Sequence, residues 1–216
     1  MTTKYPYPHQ LKYRITPSDY SALRTRLSAA APEESGSACV HTLMFDSYRS
    51  RIPALTAGES QDDPGAEPRF SLHYFDNDPT YVFLERRLEA RSDTAVVTEA
   101  ECRALLSGDT RWLLDRSNPV LQDFYSGLTE RMLLPQILLS YQREIYTIDA
   151  LDLWVALDSD VRTSLQHMDF LDPELLSRGA ACSTGQMLME ISYSSVIPDD
   201  ILCLLEETAP RRRLLA

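Results

Sequence analysis

Tyr81-Val82-Phe83-Leu84-Glu85-Arg86-Arg87, laid out as an extended chain, divides into two faces, with Val82 and Leu84 on one and Glu85 and Arg87 on the other. Side chains alternate with a period of two along a strand, so such a segment can bury one face and offer charge on the other. The same division recurs outward along the chain. Arg69, Ser71 and His73 oppose Phe70, Leu72 and Tyr74; Gln10, Lys12 and Arg14 oppose Leu11, Tyr13 and Ile15; Glu190 and Ser192 oppose Met189, Ile191 and Tyr193. Together with three less divided segments, this predicts strands at 10–15, 40–45, 70–75, 81–87, 137–146, 151–158 and 186–193. The polar faces admit two readings. They are the solvent-washed side of a half-buried antiparallel sheet, or they line a wet lumen in a sheet that closes on itself.

Helix signals stand between these segments. Thr16, Pro17 and Asp19 read as an N-cap, a first-turn proline and a first-turn carboxylate, with Tyr20, Leu23 and Leu27 on one face. Thr98 and Glu101 have the spacing of a capping box, and Gly108 supplies the stop after Leu105 and Leu106. Asn118-Pro119 opens a third helix running toward Met132 and ending near Pro135, and Pro198 opens a fourth carrying Ile201, Leu202 and Leu205. Ala29 to Ala38 and Ala57 to Ala66, rich in small and acidic residues, read as loops. Strands with helices outside them imply an α+β fold, a closed or strongly curved antiparallel β-barrel with peripheral helices.

The chain has 216 residues, 44% hydrophobic and 25% charged, the balance of one globular domain spanning 1–216. Its net charge of -11, from 21 Lys+Arg against 32 Asp+Glu, argues against broad binding of nucleic acid or an anionic membrane, so any polyanion site is local. The run Arg211-Arg212-Arg213 reads as a solvated tail. Cys39, Cys102, Cys182 and Cys203 show neither metal-ligand nor disulfide spacing and are expected as free buried thiols. Without a leader-like or membrane-length apolar run, a cytoplasmic location and no membrane insertion are expected. No HExxH, Walker, dinucleotide or GxSxG pattern occurs.

The segments that carry polar faces, taken in order, resemble the VTC-domain polyphosphate polymerases of the triphosphate tunnel (CYTH-like) family. The matching stretches are His9-Gln10-Leu11-Lys12-Tyr13, Leu43-Met44-Phe45-Asp46, Arg69 to Phe75, Leu84-Glu85-Arg86-Arg87, Tyr141-Gln142-Arg143, Val155-Ala156-Leu157-Asp158 and Met189-Glu190-Ile191-Ser192-Tyr193. The resemblance implies a β-barrel whose lumen binds phosphates, and transfer of the terminal phosphoryl group of ATP onto a polyphosphate chain. It implies Lys12 and Arg143 as catalytic cations. Arg69, Arg87 or its neighbour Arg86, Tyr141, His41 and His73 become substrate-binding groups, and Glu190 and Glu85 become ligands of Mn²⁺ or Mg²⁺. Such chemistry asks a protein mainly for positioning and for positive charge at the phosphate oxygens.

Departures from the family pattern matter as much. Gln10 stands where Glu is usual, His41 where an Arg is usual, and Ser71 and His73 where two further arginines belong. Trp154 replaces the Arg of an Arg-x-Thr-x-Asp strand, Ser192 replaces a Lys, and the closing Ser-Lys-Tyr motif is missing. Two functions follow from the resemblance: a polymerase acting on ATP and polyphosphate with weakened activity, or a non-catalytic relative that binds a small polyanion or a protein partner. His41 and His73 are expected to gain charge below about pH 6.5, favouring anion binding in acid.

Overall fold

The computed structural model describes residues 9–30, 35–47, 67–88, 91–148, 152–164, 170–172, 182–183, 185–194, 196–197, 199, 202–203, 207 and 213–214. The elements run β1 (His9–Ile15), α1 (Pro17–Ala30), β2 (Ser35–Ser47), β3 (Arg69–Phe75), β4 (Asp78–Leu88), β5 (Arg91–Thr98), α2 (Glu99–Leu106), α3 (Trp112–Asp115), α4 (Pro119–Glu130), β6 (Leu133–Ile148), β7 (Leu153–Ser164), β8 (Cys182–Ser183), β9 (Met187–Tyr193) and β10 (Arg213–Leu214). The strands form one sheet in the order β10-β1-β9-β7-β6-β2-β3-β4-β5, with β8 beside β7. Every pairing is antiparallel. Among the described residues no ladder joins β5 to β10.

Local chemistry accounts for the element ends. Thr16 Oγ1 accepts from the Asp19 N–H at 3.2 Å, and the Asp19 carboxylate accepts from the Thr16 N–H at 3.1 Å, a reciprocal cap on α1. The box at Thr98 and Glu101 forms on α2, worth about 1 kcal/mol. Asn118 caps α4 by accepting from the Val120 N–H. That helix stops at Glu130, short of the expected Met132, which takes a positive φ of 53°. Asp76 and Asn77, with φ of 54° and 59°, make the two-residue primed turn that suits the β3–β4 hairpin.

Apolar residues gather on the face of the sheet that carries the helices. Leu43, Phe45, Phe70, Leu72, Tyr74, Val82 and Leu84 pack with Cys102, Leu105, Leu121 and Phe124 of α2 and α4. Ile15, Leu153, Val155, Leu157, Met189 and Ile191 pack with Leu23 and Leu27 of α1. Leu84 and Ile191, on the apolar faces of β4 and β9, lie on this helix side.

Several expectations need correction. Ser35 to Ala38 belong to β2, and Ala29 and Ala30 to α1. β5 was not foreseen, nor were the four-residue α3 and the two-residue β8 and β10. Arg213 is part of a paired strand and not simply a solvated tail. Cys102 is buried, but Cys39 is only half-buried and Cys203 is exposed. Of the expected C-terminal helix, 199, 202, 203 and 207 are helical, while Pro198, Ile201 and Leu205 lie outside the described residues, as does the expected loop at 57–66. No helix among the described residues is long and apolar enough to cross a membrane.

Candidate phosphate-binding face

Cross-strand partners share a face, so the register fixes which side chains accompany one another. Lys12 pairs with Glu190, Glu190 with Ala156, and Gln10 with Ser192, which in turn pairs with Trp154. Asp158 pairs with Arg143, Tyr141 with Val40, Thr42 with His73, Ser71 with Glu85, and Arg69 with Arg87. One continuous face thus carries Lys12, Arg14, Arg69, Arg87 and Arg143 against Asp46, Glu85, Asp158 and Glu190 among the described residues. In a chain of net charge -11 this is a local excess of positive charge. Trp154, opposite Ser192, shares it.

Arg143 is the centre of that face. Its Nε donates to Asp158 Oδ1 at 2.7 Å, and its Nη2 donates to Asp158 Oδ2 at 2.8 Å and to Glu190 Oε2 at 3.0 Å. The guanidinium also lies 5.3 Å from the centroid of the Tyr141 ring. Burial works against the Arg143 charge, yet Asp158, Tyr141 and Glu190 together raise its pKa well above the ordinary arginine value. Burial pushes the Tyr141 phenol up.

The carboxylates respond in the opposite sense. Burial would raise the Glu190 pKa, but Lys12, Arg143 and Arg87 hold it below the usual value. Glu85 behaves alike, with burial opposed by Arg87, a hydrogen bond from Ser92, His73 and Lys12. Arg87 and Glu85 form an ion pair at 3.6 Å. These influences span the sheet, since β4 stands five strand steps from β9 and six from β1. Glu190, Asp158 and Ser192 are only 6%, 5% and 2% exposed, although no helix among the described residues lies on their face.

Two residues expected here sit elsewhere. Arg86 pairs with Phe70 and Asp93 on the helix face and forms ion pairs with Asp93 and with Asp123 of α4, so Arg87 alone of the two reaches the polar face. His41 pairs with Tyr74, stacks on its ring at 4.7 Å, and bonds Asn77 Oδ1 through Nε2 at 2.7 Å. It is a core histidine. His73 does lie on the polar face, stacked at 5.6 Å on Phe83. Arg14 on β1 and Asp158 belong to the face but were not singled out as site residues; the period-two pattern of β1 was the signal for Arg14, whereas Asp158 reaches the face through its strand pairing with Arg143.

Burial lowers the pKa of both His41 and His73, so the expected gain of charge near pH 6 is a weaker effect than ordinary imidazoles would give. The sign for stability follows. The unfolded chain binds protons at these histidines before the folded one does, and Glu85 and Glu190 stay ionised longer when folded. Both effects remove stability as pH falls, first below about 6.5 and then through the carboxylate range. Urea midpoints are therefore expected to decline steadily from pH 7.5 to 4.5, and a midpoint that is flat or rises in acid would refute this.

Mn²⁺ or Mg²⁺ needs several oxygen ligands. Among the described residues no group of three or more His, Cys, Asp and Glu converges to hold an ion. Glu190 is engaged by Arg143, and Glu85 by Arg87 and Ser92. This donor set does not fit a built-in metal site.

The sequence profile of the VTC domain matches residues 8–212. No curated protein matches the sequence. Among solved structures, the fold is similar to that of a candidate adenylyl cyclase from Hippeastrum described as having a dominant triphosphatase activity, at 15% identity and a TM-score of 0.50, covering 92% of this chain and 84% of that one. A candidate adenylate cyclase from Bacillus halodurans aligns at 12% identity and a TM-score of 0.43, covering 92% and 85%. The Mediator head module of Schizosaccharomyces pombe aligns at 10% identity and 0.44, covering 93% and 88%. With the family profile running through nearly every strand of the sheet, the chain belongs to the VTC domain family.

Proposed function

We propose that the chain binds the phosphate chain of a triphosphate or polyphosphate along its polar face, within a sheet that curls into a tunnel, and that any transfer of phosphoryl groups from ATP is weak. The observation that carries this is the burial of Glu190, Asp158 and Ser192 on the face that carries no helix among the described residues, with Arg87 acting on Glu190 from five strands away. Strands about 4.8 Å apart in a flat sheet would hold β9 and β4 roughly 24 Å from each other. Charges that distant are screened in physiological salt. A sheet curled into a tunnel would bring them within reach of one ligand.

Lys12, Arg69, Arg87, Tyr141 and Arg143 are the groups assigned to the phosphates. Arg87 and Arg143 offer planar forks that match pairs of phosphate oxygens. Arg143, however, already has two carboxylates on its fork. A phosphate must compete with them, which favours modest affinity and poor transition-state stabilisation.

Titration calorimetry with inorganic tripolyphosphate tests the binding. The wild-type protein is expected to bind, and Arg87→Ala to weaken binding by about tenfold or more, the worth of one charge-assisted contact. Absence of binding to the wild type overturns the proposal. Unchanged affinity in Arg87→Ala removes Arg87 from it.

A fully active polymerase is the second reading. It is favoured by the adjacency of Lys12, Glu190 and Arg143 on β1, β9 and β6.

A further inference from the structure

Aromatic rings gather on the polar face beside its cations. His73 pairs with Phe83 across β3 and β4, and their rings stack at 5.6 Å, 16° from parallel. Phe75 meets both rings edge-on, at 5.5 Å from His73 and 5.8 Å from Phe83. Tyr81 on β4 and Val96, opposite Phe83 on β5, extend this patch and are 61% and 48% exposed. On the other side of the same strands Phe70, Leu72, Val82 and Leu84 pack under the helices and are at most 2% exposed. His73, Phe75 and Phe83 are only half-buried. Ring surface therefore stays open on the side that carries the cations.

The patch adjoins the groups assigned to the phosphates. His73 lies close enough to Arg143 and Glu85 to feel both charges. Phe83 stands four residues before Arg87 on one face of β4, roughly 13 Å along the strand. A nucleoside triphosphate reaches about that far from its last phosphate to its base. An inorganic phosphate chain has nothing to lay on a ring, whereas a flat heteroaromatic group stacks on one whatever its hydrogen-bonding pattern.

We propose that His73, Phe75 and Phe83 form a stacking platform for an aromatic base, which makes this face selective for a nucleoside triphosphate over an inorganic phosphate chain. The inference rests on the proposed function and narrows its ligand to one that joins a base to the phosphates.

Titration calorimetry with ATP, with ribose triphosphate, which lacks the base, and with inorganic tripolyphosphate tests the platform. ATP is expected to bind the wild-type protein about tenfold or more tighter than ribose triphosphate, the worth of one stacked base. Phe83→Leu stays apolar but loses the ring, and is expected to abolish that advantage while leaving the affinities of the two base-free ligands unchanged. Phe83→Tyr keeps the ring and is expected to keep the advantage. Equal loss for all three ligands in Phe83→Leu would point to packing and overturn the platform, as would an ATP advantage that survives the substitution. Equal affinities for ATP and ribose triphosphate in the wild type also overturn it; if Arg87→Ala then still weakens every ligand, the proposed function stands. A wild-type protein that binds none of the three overturns both.

Discussion

Arg143→Ala is expected to cost about 3–5 kcal/mol of folding stability near pH 7, the usual consequence of removing one partner from a buried ion pair. Three charge-assisted hydrogen bonds at 2.7, 2.8 and 3.0 Å disappear together. Asp158 and Glu190, 5% and 6% exposed, then lose the guanidinium between them. The pH dependence identifies the cause. Arg143 is one of the cations that hold the Glu190 pKa down, so without it that carboxyl gains a proton more readily in the folded chain, and a raised folded pKa gives stability that is lost as pH rises. The variant's deficit should therefore be larger at pH 7 than at pH 5, although the wild type itself weakens in acid. Adding Asp158→Asn to Arg143→Ala is expected to recover part of the loss, because the neutral amide leaves less charge to bury. Urea denaturation at both pH values measures all of this. A deficit under about 1 kcal/mol would show that water and Lys12 already satisfy the carboxylates.

How far the sequence revealed this arrangement depended on how much a strand's two faces differ. β3, β4 and β9 alternate apolar with polar or charged residues, and their faces could be assigned before any geometry was known. The helix caps at Thr16, Thr98 and Asn118 were equally legible, because each is a local hydrogen-bond arrangement written in consecutive residues. β5 was not legible. Arg91-Ser92-Asp93-Thr94 carries no apolar residue, and only Ala95 and Val97 mark a buried face at the sheet's end.

His41 shows a different limit. It stands where the family has a cation, yet its strand neighbours Leu43 and Phe45 share its face, and a polar residue in that phase is buried among apolar ones. Resemblance indicated its family position, whereas the alternation of β2 indicated its environment. The competition for Arg143 was hidden for another reason. Asp158 and Glu190 lie 15 and 47 residues from it in sequence, and only strand pairing brings them to its fork.

That competition bears directly on catalysis. Purified protein given ATP and Mn²⁺ is expected to elongate polyphosphate far below the turnover typical of enzymes, about 1 per second or more. Phosphoryl transfer depends on positive charge already aimed at the non-bridging oxygens, and loss of one such group commonly costs on the order of 10²–10³ in rate. Here Ser71 and His73 occupy positions where the family resemblance calls for arginine, and Ser192 one where it calls for lysine. Burial keeps His73 neutral at pH 7, and Arg143 is shared with two carboxylates. These deficits act on one site, so they do not multiply. Restoring charge gives the sharper half of the test. Ser71 lies opposite Glu85, its hydroxyl 3.4 Å from a carboxylate oxygen, so Ser71→Arg alone would be neutralised by that neighbour. Ser71→Arg combined with Glu85→Gln leaves the new cation available, and is expected to raise both tripolyphosphate affinity and any transfer rate by about tenfold or more, the worth of one charge-assisted contact. If the unaltered chain already turns over at enzyme-like rates and Arg143→Lys abolishes that activity while the protein stays folded, the carboxylates on Arg143 position it for catalysis. The polymerase reading would then replace that of a weakened tunnel.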